Sequence, residues 1–96
     1  MSVEEIIHTL RGVRFELRRR FHANVIGVFG SVARGDDRSS SDIDILVDFD
    51  PDAGLFDLVG LSLFLEELFK RKVDVVPSDS LRPELRTSVL NSVVEV

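Results

Sequence analysis

An alternating segment, residues 42–49, constrains the fold of this 96-residue chain more than any other feature. Its odd-numbered positions are all apolar, whereas Asp42, Asp44 and Asp48 occupy even-numbered positions. A period of two residues is that of a β-strand, in which successive side chains point to opposite faces. The segment is therefore expected to be a strand with one apolar face against a core and one largely acidic face.

The other elements are predicted from hydrophobic period and turn residues. Ser2 and Glu5 have capping-box spacing, and apolar residues then recur at steps of three and four, which predicts a first helix. The apolar run before Gly30 and the K-V-D-V-V segment before Pro77 predict two more strands, at 25–29 and 72–76. The apolar residues that follow Gly54 predict a long helix at 55–69. Pro83 suits the first turn of a last helix that reaches about residue 93. The predicted order is α-β-(turn or short helix)-β-α-β-α, a mixed α/β (α+β) class.

Composition narrows the class of protein. A chain of 96 residues is expected to form one domain, 1–96, and its 44% hydrophobic and 30% charged residues are typical of globular proteins. The absence of cysteine excludes disulfides, thiolate zinc sites and a cysteine nucleophile. A cytoplasmic protein without a membrane segment is expected, because no apolar run is long enough and Glu4 and Glu5 replace the basic start of a signal peptide. The net charge of −5 makes nucleic acid an unlikely partner.

A glycine and a serine directly follow the predicted strand 25–29. Gly30 has no side chain, so a phosphate can approach the backbone closely there. Ser31 then opens the segment S-V-A-R, where its hydroxyl and free N–H groups at a helical N-terminus would form an anion site. The pair is a candidate phosphate cradle.

Three aspartates are candidate metal ligands. Asp42 and Asp44 leave the same strand face about 6.6 Å apart along the chain. Asp74 lies within K-V-D-V-V, and aspartate is disfavoured in strands unless it has a partner. If the third strand lies beside the second, Asp74 completes a triad with Asp42 and Asp44. The alternative for Asp42 and Asp44 is a solvated strand face that guards against aggregation.

The spacing between Ser31 and Asp42 is long enough for the chain to turn and return, so the cradle and the acids can lie side by side. Phosphate beside three carboxylates is electrostatically unfavourable unless cations lie between them. Mg²⁺ prefers hard oxygen ligands and bridges protein to phosphate. These residues together therefore predict Mg²⁺-dependent nucleotide chemistry.

Three motifs together resemble the signature of the minimal nucleotidyltransferases, which belong to the DNA polymerase β-like superfamily: G-S-V-A-R-G at 30–35, S-D-I-D-I-L-V at 41–47 and K-V-D-V-V at 72–76. The resemblance covers nearly the whole chain. It implies a polymerase β palm-like fold, in which a small mixed β-sheet is packed with helices.

The same resemblance implies the site and the reaction. Asp42 and Asp44 would bind two Mg²⁺ ions, and Asp74 would ligate the second and help to deprotonate a hydroxyl. Gly30 and Ser31 would hold the β- and γ-phosphates of ATP. Arg34 would contact phosphate or brace the acidic loop, and the sequence does not choose between these roles.

Stand-alone members of this family are paired with a HEPN-domain protein, an RNase-type toxin, and act as its antitoxin by adenylylating a tyrosine. The resemblance therefore implies AMP transfer from ATP to a tyrosine hydroxyl. Two alternatives stay open: a non-catalytic module that neutralises its partner by occlusion, and transfer to a small molecule, which the absence of an acceptor-binding domain disfavours.

The helix predicted at 55–69 is apolar almost all the way round. Either the C-terminal segment wraps it, or it docks a partner or a second copy of the chain, which we favour. On the first helix, we expect the arginines, His8 and His22 to be solvated without a site role. We expect the same of Asp48 and Asp50, and we expect a turn at residues 36–37.

Overall fold

The computed structural model describes residues 1–35 and 41–96, so the turn expected at residues 36–37 lies outside the described residues. The elements are α1 (Val3–Phe21), β1 (Ala23–Phe29), α2 (Gly30–Arg34), β2 (Ile43–Phe49), α3 (Leu55–Phe69), β3 (Val73–Pro77), α4 (Pro83–Ser92) and β4 (Val94–Glu95). A single 3-10 turn, Ser78–Ser80, joins β3 to α4. The predicted order is confirmed, and the short strand β4 is an addition that no sequence pattern indicated.

The strands form one mixed sheet in the order β3-β2-β1-β4. β1 is antiparallel to both β2 and β4, whereas β2 and β3 are parallel. A parallel pair needs a crossover connection, which α3 provides. The predicted small mixed sheet packed with helices is therefore confirmed.

The hydrophobic core lies on one face of this sheet, beneath α1 and α3. Ile43, Ile45 and Val47 of β2 are fully buried there, as the alternation predicted. Leu61 and Leu65 of α3 cover them, and burial of each such side chain stabilises the fold by about 1.5–3 kcal/mol. The apolar face of β2 is thus the centre of the core.

The ends of the helices follow local rules. Ser2 caps α1: the Glu5 N–H donates to Ser2 Oγ at 3.2 Å, and the Ser2 N–H donates to Glu5 Oε1 at 2.9 Å. This backbone hydrogen bond from Ser2 lowers the pKa of Glu5. Pro83 occupies the first turn of α4, as predicted. Among the described residues, no helix is both long and apolar enough to cross a membrane.

Candidate active site

The parallel pairing of β2 and β3 brings two of the predicted aspartates together. Asp44 is the register partner of Asp74, so the two residues lie side by side on adjacent strands about 4.8 Å apart. Asp42 immediately precedes β2 and is exposed. The third strand therefore lies beside the second, which is the arrangement that the predicted triad of Asp42, Asp44 and Asp74 requires.

Asp44 is half-buried, and its charge is unfavourable in this position. Burial raises the pKa of Asp44 above its ordinary value, and the nearby carboxylates of Asp74 and Asp42 raise it further. The positive charge of Arg34 opposes these effects. The geometry therefore concentrates negative charge at the point where the sequence predicts a cation.

Gly30 lies directly against Asp44. The antiparallel register pairs Phe29 with Asp44, which places the end of β1 beside this carboxylate. A Cβ atom on Gly30 would lie 2.1 Å from Asp44 Oδ2, and the φ of Gly30 is +75°. Glycine is therefore required twice at this position, for its backbone conformation and for the space that Asp44 occupies. The sequence indicated only the approach of a phosphate.

Ser31 lies in the first turn of α2, and no side chain caps the N-terminus of that helix. The predicted short helix after β1 is thus present, and it ends at Gly35 in the left-handed conformation, with φ +77°. Arg34, in the last turn of α2, is close enough to act on the charge of Asp44. The structure places Gly30, Ser31 and Arg34 on one segment beside the aspartates.

The turn between α3 and β3 holds the chain just before Asp42. Arg71 Nε donates to the Ser41 carbonyl oxygen at 3.2 Å, and the Ile43 N–H donates to the Lys72 carbonyl oxygen at 3.0 Å. These hydrogen bonds join the residues before β3 to the residues at the start of β2 and fix where β2 begins. Sequence reasoning missed Arg71, because the partners are 30 positions apart.

The donor set fits Mg²⁺ chemically, because three carboxylates offer hard oxygen ligands and their mutual repulsion is relieved by a cation. Their oxygens do not form a cluster in which all atoms lie within 4.8 Å of one another. A two-ion site does not need one, since two such ions are themselves about 3.5–4 Å apart.

Another group of possible metal ligands meets that spacing within residues 1–35 and 41–96: His22, Asp50 and Asp52, all exposed. Asp50 and His22 are joined by a backbone hydrogen bond of 3.0 Å, and their side chains approach to 4.0 Å. This group lies at the opposite end of β2 from Asp42. Three exposed side chains do not by themselves define a metal site.

A cavity of about 340 Å³ lies further along the acidic face, with Asp48, Asp79 and Arg86 on its walls. Leu46 lies on this face between Asp44 and Asp48 and is fully buried. The buried side chain of Leu46 therefore lies between Asp44 and the part of this face that borders the cavity.

Comparisons with known proteins agree with this fold. The family model of the nucleotidyltransferase domain matches residues 10–96. The protein adenylyltransferase MntA of Thermococcus cleftensis is 42% identical over 96 residues, which are 100% of this chain and 97% of that protein. MJ0435 of Methanocaldococcus jannaschii, assigned as a protein adenylyltransferase, is 45% identical over 69 residues, 72% of this chain and 74% of that protein.

Two solved structures are similar in fold. One, assigned as a minimal nucleotidyltransferase, superposes with a TM-score of 0.84 at 38% identity and covers 100% of this chain and 97% of its own. The other is a crystal structure of a toxin–antitoxin with AMP-PNP, with a TM-score of 0.59 at 27% identity, covering 74% of this chain and 59% of its own. The chain is a nucleotidyltransferase-domain enzyme. Within that class it belongs to the minimal nucleotidyltransferases.

Proposed function

We propose that this chain, acting as one domain in the cytoplasm, transfers AMP from ATP to a tyrosine hydroxyl of a HEPN-domain toxin and so neutralises it. The observation that carries the proposal is the pairing of Asp44 with Asp74 across β2 and β3, beside Gly30. The names of the Thermococcus relative and of the toxin–antitoxin structure with AMP-PNP support a protein acceptor and a triphosphate substrate. The HEPN partner and the tyrosine come from the resemblance of the sequence motifs.

In this mechanism Asp42 and Asp44 would hold two Mg²⁺ ions, and Asp74 would help to hold the second and would accept the proton of the attacking hydroxyl. When bound, Mg²⁺ would neutralise negative charge on the triphosphate. The Gly30 backbone and Ser31 bind the β- and γ-phosphates. The acceptor oxygen forms a bond to the α-phosphorus as the bond to the β-phosphate bridging oxygen breaks, and pyrophosphate leaves. Positioning and electrostatic stabilisation supply most of the rate gain.

A protein acceptor is consistent with the described part of the chain. The described elements form one sheet with its helices, and none of them builds a second lobe over Asp42, Asp44 and Asp74. A protein acceptor fits this arrangement, because it brings its own folded surface to the acidic face.

The proposal is tested by incubating the protein with labelled ATP, Mg²⁺ and the product of the neighbouring gene as the candidate toxin. We expect label on a toxin tyrosine, lost in Asp42→Asn/Asp44→Asn and on chelation of Mg²⁺. Asp48→Asn is the matched control, since Asp48 is an exposed aspartate on the same strand and face. Circular dichroism checks that each variant is folded.

Transfer retained by the folded double variant would overturn the proposal. A stable complex with the toxin that never carries label would instead support neutralisation by occlusion. Loss of transfer in Asp48→Asn as well would point to the net charge of the face rather than to the paired aspartates.

A further inference from the structure

The outward side of α3 carries an exposed apolar strip, here called the α3 strip. Its members are Leu55, Phe56, Val59 and Leu63, exposed by 71%, 92%, 47% and 62%. Phe56, Val59 and Leu63 are spaced by three and four residues, so they lie in one line along the helix. Within residues 1–35 and 41–96, no element of the chain covers this line. The C-terminal segment does not wrap it, since β4 pairs with β1 instead.

The α3 strip and the aspartates lie on opposite sides of the molecule. Buried residues of α3 pack on the apolar face of the sheet, whereas Asp44 and Asp74 lie on the other face. If the proposed function holds, the protein that presents a hydroxyl to Asp44 approaches that other face. The contact needed for transfer therefore leaves the α3 strip free for a different occupant.

We propose that this occupant is a second copy of the chain, and that two α3 helices pack antiparallel about a twofold axis near Val59. In this arrangement the Phe56 ring of one copy covers Leu63 of the second copy, and the reverse. The same apolar surface then lies on both sides of the contact, as an isologous interface requires.

Charges at the two ends of α3 favour the antiparallel arrangement. Asp50 and Asp52 are exposed just before the helix, and Lys70, which pairs with Glu67, is exposed at its end. Antiparallel helices set each acidic turn opposite the end of α3 that carries the Lys70–Glu67 pair and keep the two acidic turns apart. Parallel helices would set the two acidic turns against each other, and their dipoles would be aligned unfavourably.

The exposed area of the α3 strip indicates how strong a dimer contact can be. Side chains of this kind expose on the order of 500 Å² per copy. A twofold contact therefore buries on the order of 1,000 Å², the lower limit of a specific interface. A contact of this size is expected to be exchanging rather than permanent.

The proposal is tested by sedimentation equilibrium without nucleotide or toxin, at protein concentrations from the low to the high micromolar range. We expect a monomer–dimer equilibrium in the unmodified chain, and a dissociation constant raised at least about tenfold by Phe56→Ser. Phe15→Ser is the matched control, because Phe15 is 81% exposed on α1 and lies off the strip. Both variants should keep their helical content, since neither side chain is buried.

A chain that stays monomeric throughout this range overturns the proposal, as does equal weakening by Phe15→Ser. If Phe56→Ser leaves the oligomeric state unchanged but prevents binding of the toxin, the strip belongs to the toxin and the homodimer is wrong. Because oligomeric state is measured without transfer, this proposal and the proposed function fail separately.

The chain has no cysteine, so single introduced thiols report the geometry cleanly. Val59→Cys should cross-link to itself through a short bis-maleimide. In a mixture of Phe56→Cys and Leu63→Cys, antiparallel packing predicts more mixed than like pairs. An excess of like pairs would overturn the antiparallel arrangement.

Discussion

The two faces of β2 have different physical characters. On one face Ile43, Ile45 and Val47 are fully buried and stabilise the core. On the other, Asp44 is half-buried beside Asp74, and its pKa is raised because its charge is poorly accommodated. The apolar face of β2 thus stabilises the fold, whereas the carboxylates on its other face repel one another. Such repulsion is expected where a cation and a phosphate are to be bound.

The largest expected effect is on the acidic face. Gly30→Ala should lower nucleotide transfer about 100- to 1,000-fold, because the new Cβ would lie 2.1 Å from Asp44 Oδ2 and displace it. Gly35→Ala is the matched control: Gly35 also has a positive φ, +77°, but its Cβ would meet nothing within 4 Å. Steady-state transfer rates of the two folded variants test this prediction. Equal losses in both would show that backbone strain, not contact with Asp44, is responsible.

The next largest effect is a loss of stability from a truncation in the apolar core. Leu61→Ala should lower the free energy of unfolding by about 2–5 kcal/mol, because Leu61 is fully buried and its truncation leaves a cavity. Leu85→Ala, at an exposed leucine of α4, should change it by less than about 0.5 kcal/mol. Urea denaturation measures both. A small loss in Leu61→Ala would mean that the core collapses around the gap.

A smaller effect concerns the edge of the sheet. A Cβ on Gly27 would lie 2.3 Å from the Val94 carbonyl oxygen, so Gly27→Ala should displace β4 and cost about 1–3 kcal/mol. Gly12→Ala, in α1 with nothing within 4 Å, should instead stabilise by about 0.5–1 kcal/mol. Thermal unfolding of the two variants should therefore shift in opposite directions. A Gly27→Ala variant that melts no lower than the unmodified chain would contradict the packing of β4 on Gly27.

The smallest effect is a pH dependence of stability. Folding favours protonated Asp44, because its pKa is raised in the folded chain by burial and by Asp74 and Asp42. The folded chain should therefore lose stability as the pH rises through this pKa. Asp44→Asn, which cannot ionise, should melt higher than the unmodified chain at neutral pH without divalent cations, by at most about 5 °C.

That gain should disappear at low pH, where the carboxyl of Asp44 is protonated in both the folded and unfolded chain. Asp48→Asn, at an exposed aspartate of the same face, serves as control and should show little change. A constant difference between Asp44→Asn and the unmodified chain at all pH values would mean that ionisation of Asp44 does not oppose folding.

Several contacts were not predicted from the sequence. Arg20 is exposed, as expected, but it also pairs with Glu16 at 2.9 Å and lies over the rings of Phe21 and Phe64 at 5.1 and 5.2 Å. The grouping of His22 with Asp50 and Asp52, and the bond from Arg71 to Ser41, were also missed. The pair of Arg20 with Glu16 has helical i,i+4 spacing, which the sequence does contain. The contacts of Arg20 with Phe64, of His22 with Asp50 and of Arg71 with Ser41 join residues far apart along the chain, which no local period or spacing reports.

Local features, in contrast, followed from the sequence alone. The two-residue period of 42–49, the Ser2–Glu5 capping box and Pro83 at the start of α4 act within a few residues, so their physics is complete in the sequence. Only the tertiary structure decided that β3 lies parallel to β2 with Asp74 opposite Asp44, and that Gly30 leaves room for this carboxylate. Strand order and register are set by packing of the whole core, and local sequence does not encode them independently.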